Sequence, residues 1–266
     1  MATATTDLLT LGDFFTHGRS GLLPPKPCSP YRYIEFLTEL SLQKKYNLKR
    51  VLEVGPGTDP GLAFLDPKGI EKAAAIDYVA EALAIGQKRS PVPFEAMAVD
   101  IMNTPLPEQK EKWDYVICNS VIEHVVDDQK LVDVMHDFLA PGGYIVCSTV
   151  MHQFLYCSWD YAVGHYRRYS KQRLENLFDK FSDVQIVQTS LLQELARPLF
   201  FNRIYPLCGN TLESNNLRTA IGHQEWGQAP YAPVWPLARL AMPLWLAFDW
   251  LKGSLPAGIG FVIARK

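Results

Sequence analysis

Three acids recur in the first half of the chain, each at the end of a short apolar run. Glu53 lies in Val51-Leu52-Glu53-Val54 and is followed at once by the turn Gly55-Pro56-Gly57-Thr58-Asp59. Asp77 closes Lys72-Ala73-Ala74-Ala75-Ile76, 24 residues after Glu53, and Asp100 closes Glu95-Ala96-Met97-Ala98-Val99. Small residues after a buried strand let a ligand lie against bare backbone. A carboxylate at the second strand end offers two acceptor oxygens, enough for both hydroxyls of a ribose. A fourth apolar run, Trp113 to Cys118, ends in Asn119 and Ser120 and leads into Val121-Ile122-Glu123-His124. An imidazole titrates near neutral pH, so His124 is a candidate base for taking a proton from an acceptor. Its other reading is architectural, with Glu123 and His124 orienting the loop by hydrogen bonds.

A second cluster reads Gly164-His165-Tyr166-Arg167-Arg168-Tyr169-Ser170. His165 and Tyr166 could position or deprotonate an acceptor, and Arg167 or Arg168 could bind a carboxylate. The arginines could equally pair with helix carboxylates while Tyr169 packs. Just before this cluster stand Met151, His152, Phe154, Tyr156, Trp159 and Tyr161. Of these, Tyr156 and Trp159 suit a planar or greasy acceptor, and the same density suits core packing. His17, His136 and His223 look isolated. No His/Cys/Asp/Glu set has a spacing that suggests a metal.

These groups need a scaffold of alternating strands and helices. The five apolar runs, the last being Tyr144 to Val150 after the turn Pro141-Gly142-Gly143, read as strands of a parallel sheet. The interval from Glu53 to Asp77 is about one strand–helix–strand unit. Gln129 to Leu139 reads as a helix buried through Leu131, Val134, Met135 and Phe138. Lys171 to Phe181 reads as another, with Ser170 as N-cap. Asp183 to Thr189 and Gly258 to Ala264 supply two further strands. Towards the amino terminus, Asp7 to Thr16 and Tyr31 to Lys45 are candidate helices.

The ordered series resembles the S-adenosylmethionine-dependent methyltransferases of the Rossmann-like class. Glu53-Val54-Gly55-Pro56-Gly57-Thr58 resembles their first motif, Asp77 their ribose-binding acid, and Asp100 with Ile101 the position that contacts adenine. Asn119-Ser120-Val121-Ile122-Glu123-His124-Val125 resembles the fourth motif of the subgroup that includes quinone, lipid and natural-product enzymes. Leu139-Ala140-Pro141-Gly142-Gly143 resembles the turn before their fifth strand, and Arg167-Arg168-Tyr169-Ser170 a segment bordering the substrate. The match runs from Val51 to Ser170. It implies a seven-stranded α/β sheet, mostly parallel, with the last strand antiparallel between the fifth and sixth. It further implies S-adenosyl-L-methionine as cofactor, held by Glu53, Gly55, Pro56, Gly57, Asp77 and Tyr78, then by Asp100, Ile101, Asn119 and Ser120. Asp59 stands where the family usually has a third glycine, although Gly61 follows. An NAD enzyme fits less well: no Lys or Arg lies between Leu52 and Pro67, and no phosphate-cradling Gly-Lys-Ser/Thr occurs in the loop.

On these grounds the chain divides into an amino-terminal cap (1–48), a cofactor-binding core (49–192), a helical insertion (193–256) and a last core strand (257–266). The cap lies over the cofactor mouth or packs as an extension. The insertion is unusually long and holds Trp226, Trp235, Trp245 and Trp250. It builds an apolar substrate pocket, touches a membrane surface, or forms a packing layer or dimer interface.

The 266 residues carry a net charge of −2, which gives no electrostatic reason to expect nucleic acid as partner. Hydrophobic residues make up 48% and charged ones 20%, the balance of a globular domain. The five cysteines contain no CxxC, so the expectation is neither a disulfide framework nor a zinc site, and a reducing cytosol. The expected activity is methyl transfer to a small, largely apolar acceptor at oxygen or carbon. The alternatives are a peripheral membrane enzyme acting on lipids or quinones, and a protein that binds the cofactor without catalysis.

Overall fold

The computed structural model describes residues 8–17, 30–189, 197–204, 244 and 257–266. Seven strands form one sheet: β1 (Arg50–Val54), β2 (Lys72–Asp77), β3 (Glu95–Ala98), β4 (Trp113–Asn119), β5 (Leu139–Val150), β6 (Asp183–Thr189) and β7 (Ile259–Arg265). Their order is β3-β2-β1-β4-β5-β7-β6. The pairs from β3 to β5 are parallel, and β7 runs antiparallel to both its neighbours, between the fifth and sixth strands as expected. Strand order reverses between β1 and β4. In open α/β sheets the crevice outside that switch point is where ligands bind.

The apolar runs become strands because both faces of the sheet are covered. Alternate residues feed two cores, as the two-residue period of a strand requires. Val51, Tyr115, Val146 and Phe261 pack on one side against helix α2 (Pro30–Tyr46), through its Ile34, Leu37 and Leu40. Leu52, Val116, Ile145 and Val262 pack on the other side. There they meet α4 (Asp128–Phe138) through Leu131 and Met135, and α6 (Lys171–Leu177) through Leu174, beyond α3 (Ala80–Arg89) and α5 (Ser158–Val163) in chain order. The Asp127 side chain caps α4 by accepting from Lys130 N at 3.0 Å, and Ser170 Oγ caps α6 from Arg173 N at 3.1 Å. Cys118 and Cys147 face each other across β4 and β5, free and buried.

The amino-terminal helices are integral to this core. α1 (Leu11–His17) follows Leu8 and Leu9, both buried, and Gln185 of β6 exchanges two 2.8 Å hydrogen bonds with the Leu9 backbone. Lys45 and Tyr46, at the end of α2, both donate to Leu8 O at 2.9 Å.

Three local expectations are corrected. No α-helix joins β1 to β2; short 3₁₀ turns at Gly61–Phe64 and Pro67–Gly69 do. Pro60 and Pro67 open those turns and leave too little uninterrupted chain for a helix, and α2 covers the sheet instead, with Phe36 and Phe64 rings 4.9 Å apart. Second, β5 begins at Leu139, so Pro141-Gly142-Gly143 lies within the strand as a register shift between Trp113 and Tyr115. Third, α6 stops at Leu177 and β3 at Ala98. The Trp-rich insertion lies outside the described residues apart from 197–204 and 244, so the pocket, membrane and interface readings of Trp226, Trp235, Trp245 and Trp250 lie outside them too. Among the described residues no helix is long and apolar enough to cross a membrane.

The shift at β5 depends on Gly143. A Cβ there would sit 3.0 Å from Ala140 O and 3.1 Å from Trp113 O, backbone atoms that cannot rotate away. Gly143→Ala is expected to lower unfolding stability by about 1–3 kcal/mol, read as a lower urea midpoint at unchanged slope; an unchanged midpoint would show that the bulge has slack.

Candidate functional site

The carboxyl ends of β1, β2 and β4 form the edge where the sequence placed a ligand. Glu53 leaves β1 into the buried side of the glycine loop, only 2% exposed. Its Oε1 accepts from Gly61 N at 2.7 Å and its Oε2 from Leu62 N at 3.0 Å. Burial pushes its pKa up to about 7 against the pull of those two N–H groups. Gly61 therefore serves the loop two residues beyond Asp59, through its backbone donor. Gly55 has φ +69°, and a Cβ on it would lie 2.5 Å from Val121 Cγ2. Only glycine gives both the left-handed turn and the close approach of the β4 loop.

Asp77 ends β2 nearly buried. Its Oδ2 accepts from Gly57 N at 3.0 Å and its Oδ1 from Val79 N at 2.9 Å, so it ties the glycine loop to the second strand. Burial raises its pKa, opposed by the same N–H groups. Pro56 is buried in the loop, whereas Tyr78, next to Asp77, is 77% exposed. Asp100 lies past β3 in a turn of its own making, accepting from Met102 N at 2.9 Å and Asn103 Nδ2 at 2.7 Å. Ile101 beside it is buried. Asn119, the last residue of β4, donates to Glu39 of α2. Ser120 follows with φ +53° and donates its N–H to Ser148 O at 3.0 Å.

α2 contributes groups that inspection of the sequence passed over. Arg32 pairs with Glu35 at 2.7 Å and reaches the Asp59 carbonyl, so a cation does enter the loop region from a distant segment. Ser148 of β5 donates to Glu35. Glu39 is fully buried, and burial drives its pKa well up against the charge of Arg32. The available signal was their spacing: residues 32, 35 and 39 share one helix face in an otherwise buried helix.

The two histidine segments, 41 residues apart, converge. His124 and His165 rings meet edge to face at 4.7 Å. His165 Nδ1 lies 2.7 Å from Asp160 Oδ1, while its Nε2 lies 4.0 Å from Glu123 Oε1. Glu123 is fully buried; its Oε2 accepts from Thr149 Oγ1 at 2.8 Å, and burial raises its pKa. Asp160 is buried too, and burial alone would raise it. The hydrogen bonds and charges of His165 and Arg168 outweigh that and hold it well below the usual carboxylate range. Arg168 donates to both Asp160 oxygens at 2.9 Å and to Met151 O at 3.3 Å. Its guanidinium thus buttresses Asp160 instead of offering a fork to a substrate carboxylate.

Arg167 is likewise engaged, 2.8 Å from Asp128. Arg173 at 2.7 Å and the Tyr169 hydroxyl at 2.9 Å converge on the same carboxylate. The reading in which these arginines pair with helix carboxylates is the one the structure adopts. Tyr156 donates its hydroxyl to His165 O at 2.6 Å. Trp159 is buried against Phe201, ring centroids 4.7 Å apart, so it packs the wall of this region. Tyr166 is 59% exposed, with its backbone N–H on Glu123 O at 2.8 Å. Spacing had singled out no metal set, yet the fold brings donor atoms of Glu123, His124 and His165 within 4.8 Å of one another.

Residues 29–182 match a family model described as a methyltransferase domain. A ubiquinone biosynthesis O-methyltransferase of Ruegeria pomeroyi is 28% identical over 119 residues, covering 44% of this chain and 47% of that protein. A ribosomal protein L11 methyltransferase of Geotalea uraniireducens is 29% identical over 101 residues, 38% of this chain and 31% of that one. The chain thus spans about half or less of the length of these curated relatives. Among solved structures, a SAM-dependent methyltransferase from Archaeoglobus fulgidus superposes with TM-score 0.51 at 15% identity, over 87% of this chain and 94% of that one. A phosphoethanolamine N-methyltransferase of Haemonchus contortus, solved with S-adenosyl-L-methionine, gives 0.50 at 16%, over 96% and 52%. At such identities these structures speak for the fold. The family model spans more than half of the chain, across the same glycine loop, strand-end acids and histidine segments, and the chain belongs to the methyltransferase family, in its Rossmann-like, S-adenosylmethionine-dependent class.

Proposed function

We propose that this chain transfers a methyl group from S-adenosylmethionine to a small, largely apolar acceptor, at oxygen or carbon. The observation that carries this reading is an excess of acceptors over donors at the edge of the sheet. Among the described residues, two buried acceptor atoms there have no hydrogen-bond partner: Glu39 Oε2 and Asn119 Oδ1. Buried polar atoms are normally satisfied, so such a group fits a ligand that brings donors and positive charge. S-adenosylmethionine brings both, an ammonium and a sulfonium, and supplies the methyl group to be displaced in line.

The chain's residues divide the remaining tasks. Asp77, nearly buried at the second strand end, can accept the ribose hydroxyls in exchange for its backbone bonds to the loop. Glu53 fixes the loop backbone at Gly61 and Leu62. Asp100 and Ile101 offer a polar turn and an apolar wall for the base. His124, beside His165, stands on the loop that follows β4 and is the group we assign to take the acceptor's proton as the acceptor's lone pair bonds to the methyl carbon and the carbon–sulfur pair stays on sulfur. Tyr156 and Tyr166 border this end with aromatic surface, while Trp159 is packed against Phe201. The likeness to ubiquinone biosynthesis O-methyltransferases supports an apolar, hydroxyl-bearing acceptor.

Isothermal titration tests the cofactor assignment. Micromolar binding of S-adenosylmethionine or S-adenosylhomocysteine is expected, and Asp77→Ala should weaken it by more than about tenfold, the cost of two buried hydrogen bonds. Unaltered affinity in that variant would sink the ribose role.

Binding should also depend on pH. The folded pKa of Glu53 is raised to about 7, above its unfolded value. Its contribution to stability is therefore full below the ordinary carboxylate range and is lost as pH rises through about 7. A cationic ligand reverses that cost by favouring the ionised carboxylate. Affinity should accordingly rise with pH up to about 7, by at most about tenfold per unit, then level off. Glu53→Gln should flatten the profile; an identical slope in that variant would assign the proton elsewhere.

For His124→Gln the expected outcome is a loss of about 10²–10⁴ in turnover with cofactor affinity preserved. A retained rate would leave His124 with the architectural role alone.

A further inference from the structure

We propose that Glu123, His124 and His165 bind a divalent transition-metal ion. The residue types are two imidazoles and one carboxylate, a set used by catalytic zinc and non-haem iron sites that keep open positions. Their donor atoms lie within 4.8 Å of one another. Metal–ligand bonds of about 2.0–2.2 Å place donors about 3–3.5 Å apart. Side-chain rotations that draw the three donors in by about 1 Å would close the site.

Two independent features point to a ligand here. The first is Glu123 Oε1, an acceptor on a fully buried side chain with no hydrogen-bond partner among the described residues. Its sister oxygen is fixed by Thr149, so the unpartnered atom is held towards the histidine pair. The second is the orientation of His165. The 2.7 Å contact to Asp160 places the ring proton on Nδ1 and turns the Nε2 lone pair towards Glu123, 4.0 Å away. That gap is too long for a hydrogen bond, and the space between the two atoms suits a cation that both can face, a metal ion in place of the proton an imidazolium would carry.

The surroundings supply what a metal site needs beyond its ligands. A ligating histidine almost always donates its other N–H to a carboxylate, which fixes the tautomer and ring plane. Asp160 plays that part and is itself held by both arms of Arg168. Asp160 and Arg168 are positioning residues. The two imidazoles favour zinc, iron or nickel over magnesium, calcium or manganese, which prefer oxygen ligands. Positions left open would take water or an oxygen of the acceptor; with the ion bound, the His124 lone pair lies on the metal, and a metal-bound hydroxide would take the acceptor's proton in place of the imidazole. That last role, though not the binding itself, rests on the methyl-transfer reading above.

The test is titration of Zn²⁺ and of Ni²⁺ into untagged, chelator-dialysed protein, with metal content before dialysis read by mass spectrometry. One saturable equivalent per chain is expected. Glu123→Gln should weaken it by at least about tenfold with an unchanged thermal melt; Asp160→Asn should weaken it by about 10- to 100-fold with a lowered melt, because the buried Arg168 loses its counter-charge. Cobalt(II) loaded into the wild type should give ligand-field absorption, a readout that needs no variant. Absence of saturable binding of either ion, or wild-type affinity in Glu123→Gln, would overturn the site. S-adenosylhomocysteine titrated into the same samples separates the two readings, because cofactor binding should survive removal of the metal.

Discussion

Carboxylates taken out of water at one edge of the sheet are the constraint around which this molecule is built. Glu35, Glu39, Glu53, Asp77, Glu123 and Asp160 are all buried there or beside it. An ionised carboxylate in such surroundings is costly unless donors or cations meet it. The fold meets each one differently. Glu53 and Asp77 take backbone N–H groups from the glycine loop, Glu35 takes Arg32 and Ser148, and Asp160 takes Arg168 and His165. Glu39 and Glu123 are left each with one oxygen unmatched. Hydrogen-bond partners are thus found for every oxygen that ties the glycine loop to the sheet, although burial still raises Glu53 and Asp77, and are lacking among the described residues for one oxygen each of Glu39 and Glu123.

The two incomplete groups come from different parts of the chain, and this gives the amino-terminal helix its importance. α2 seals one face of the sheet through Ile34, Leu37 and Leu40, and its Arg32 reaches the loop after β1, Glu39 the last residue of β4 and Glu35 Ser148 near the end of β5. Apolar packing on one side of that helix therefore sets the electrostatics on the other. The Asp128 cluster does similar work behind the histidines, where Arg167, Arg173 and Tyr169 lock the segment after α5 to the start of α4. His165 owes its place beside Glu123 to that clamp and to Asp160.

Much of this was legible in the sequence because it is written in local pattern. Apolar runs that end in Glu53, Asp77 and Asn119 mark strands whatever surrounds them, and Ser170 before Lys171 marks a helix start from the capping chemistry of its hydroxyl. The methyltransferase resemblance placed β7 between β5 and β6, which no local pattern could. What stayed hidden depends on approach through space. The link from β1 to β2 was read as a helix because its length allows one, whereas Pro60 and Pro67 leave α2 to cover the sheet. Arg168 looked available to a substrate until Asp160, eight residues earlier, was brought against it by the turn at Gly164. The meeting of His124 with His165 across 41 residues has no periodic signature.

The position of β7 bears on how the chain reaches this state. Thr149 of β5 pairs with Gly260, and Gln188 of β6 pairs with the same residue, so both contacts close long loops. Until β7 is in place, β5 has a bare edge and β6 has no bond to the rest of the sheet. Pairings so distant in sequence slow folding, and unpaired strand edges invite association with other chains. On the ribosome, β1 to β5 and both histidine segments emerge well before the strand that seals them. Closure of the sheet, and with it the cover over the edge of β5, therefore rests on the strand of the seven that is made last.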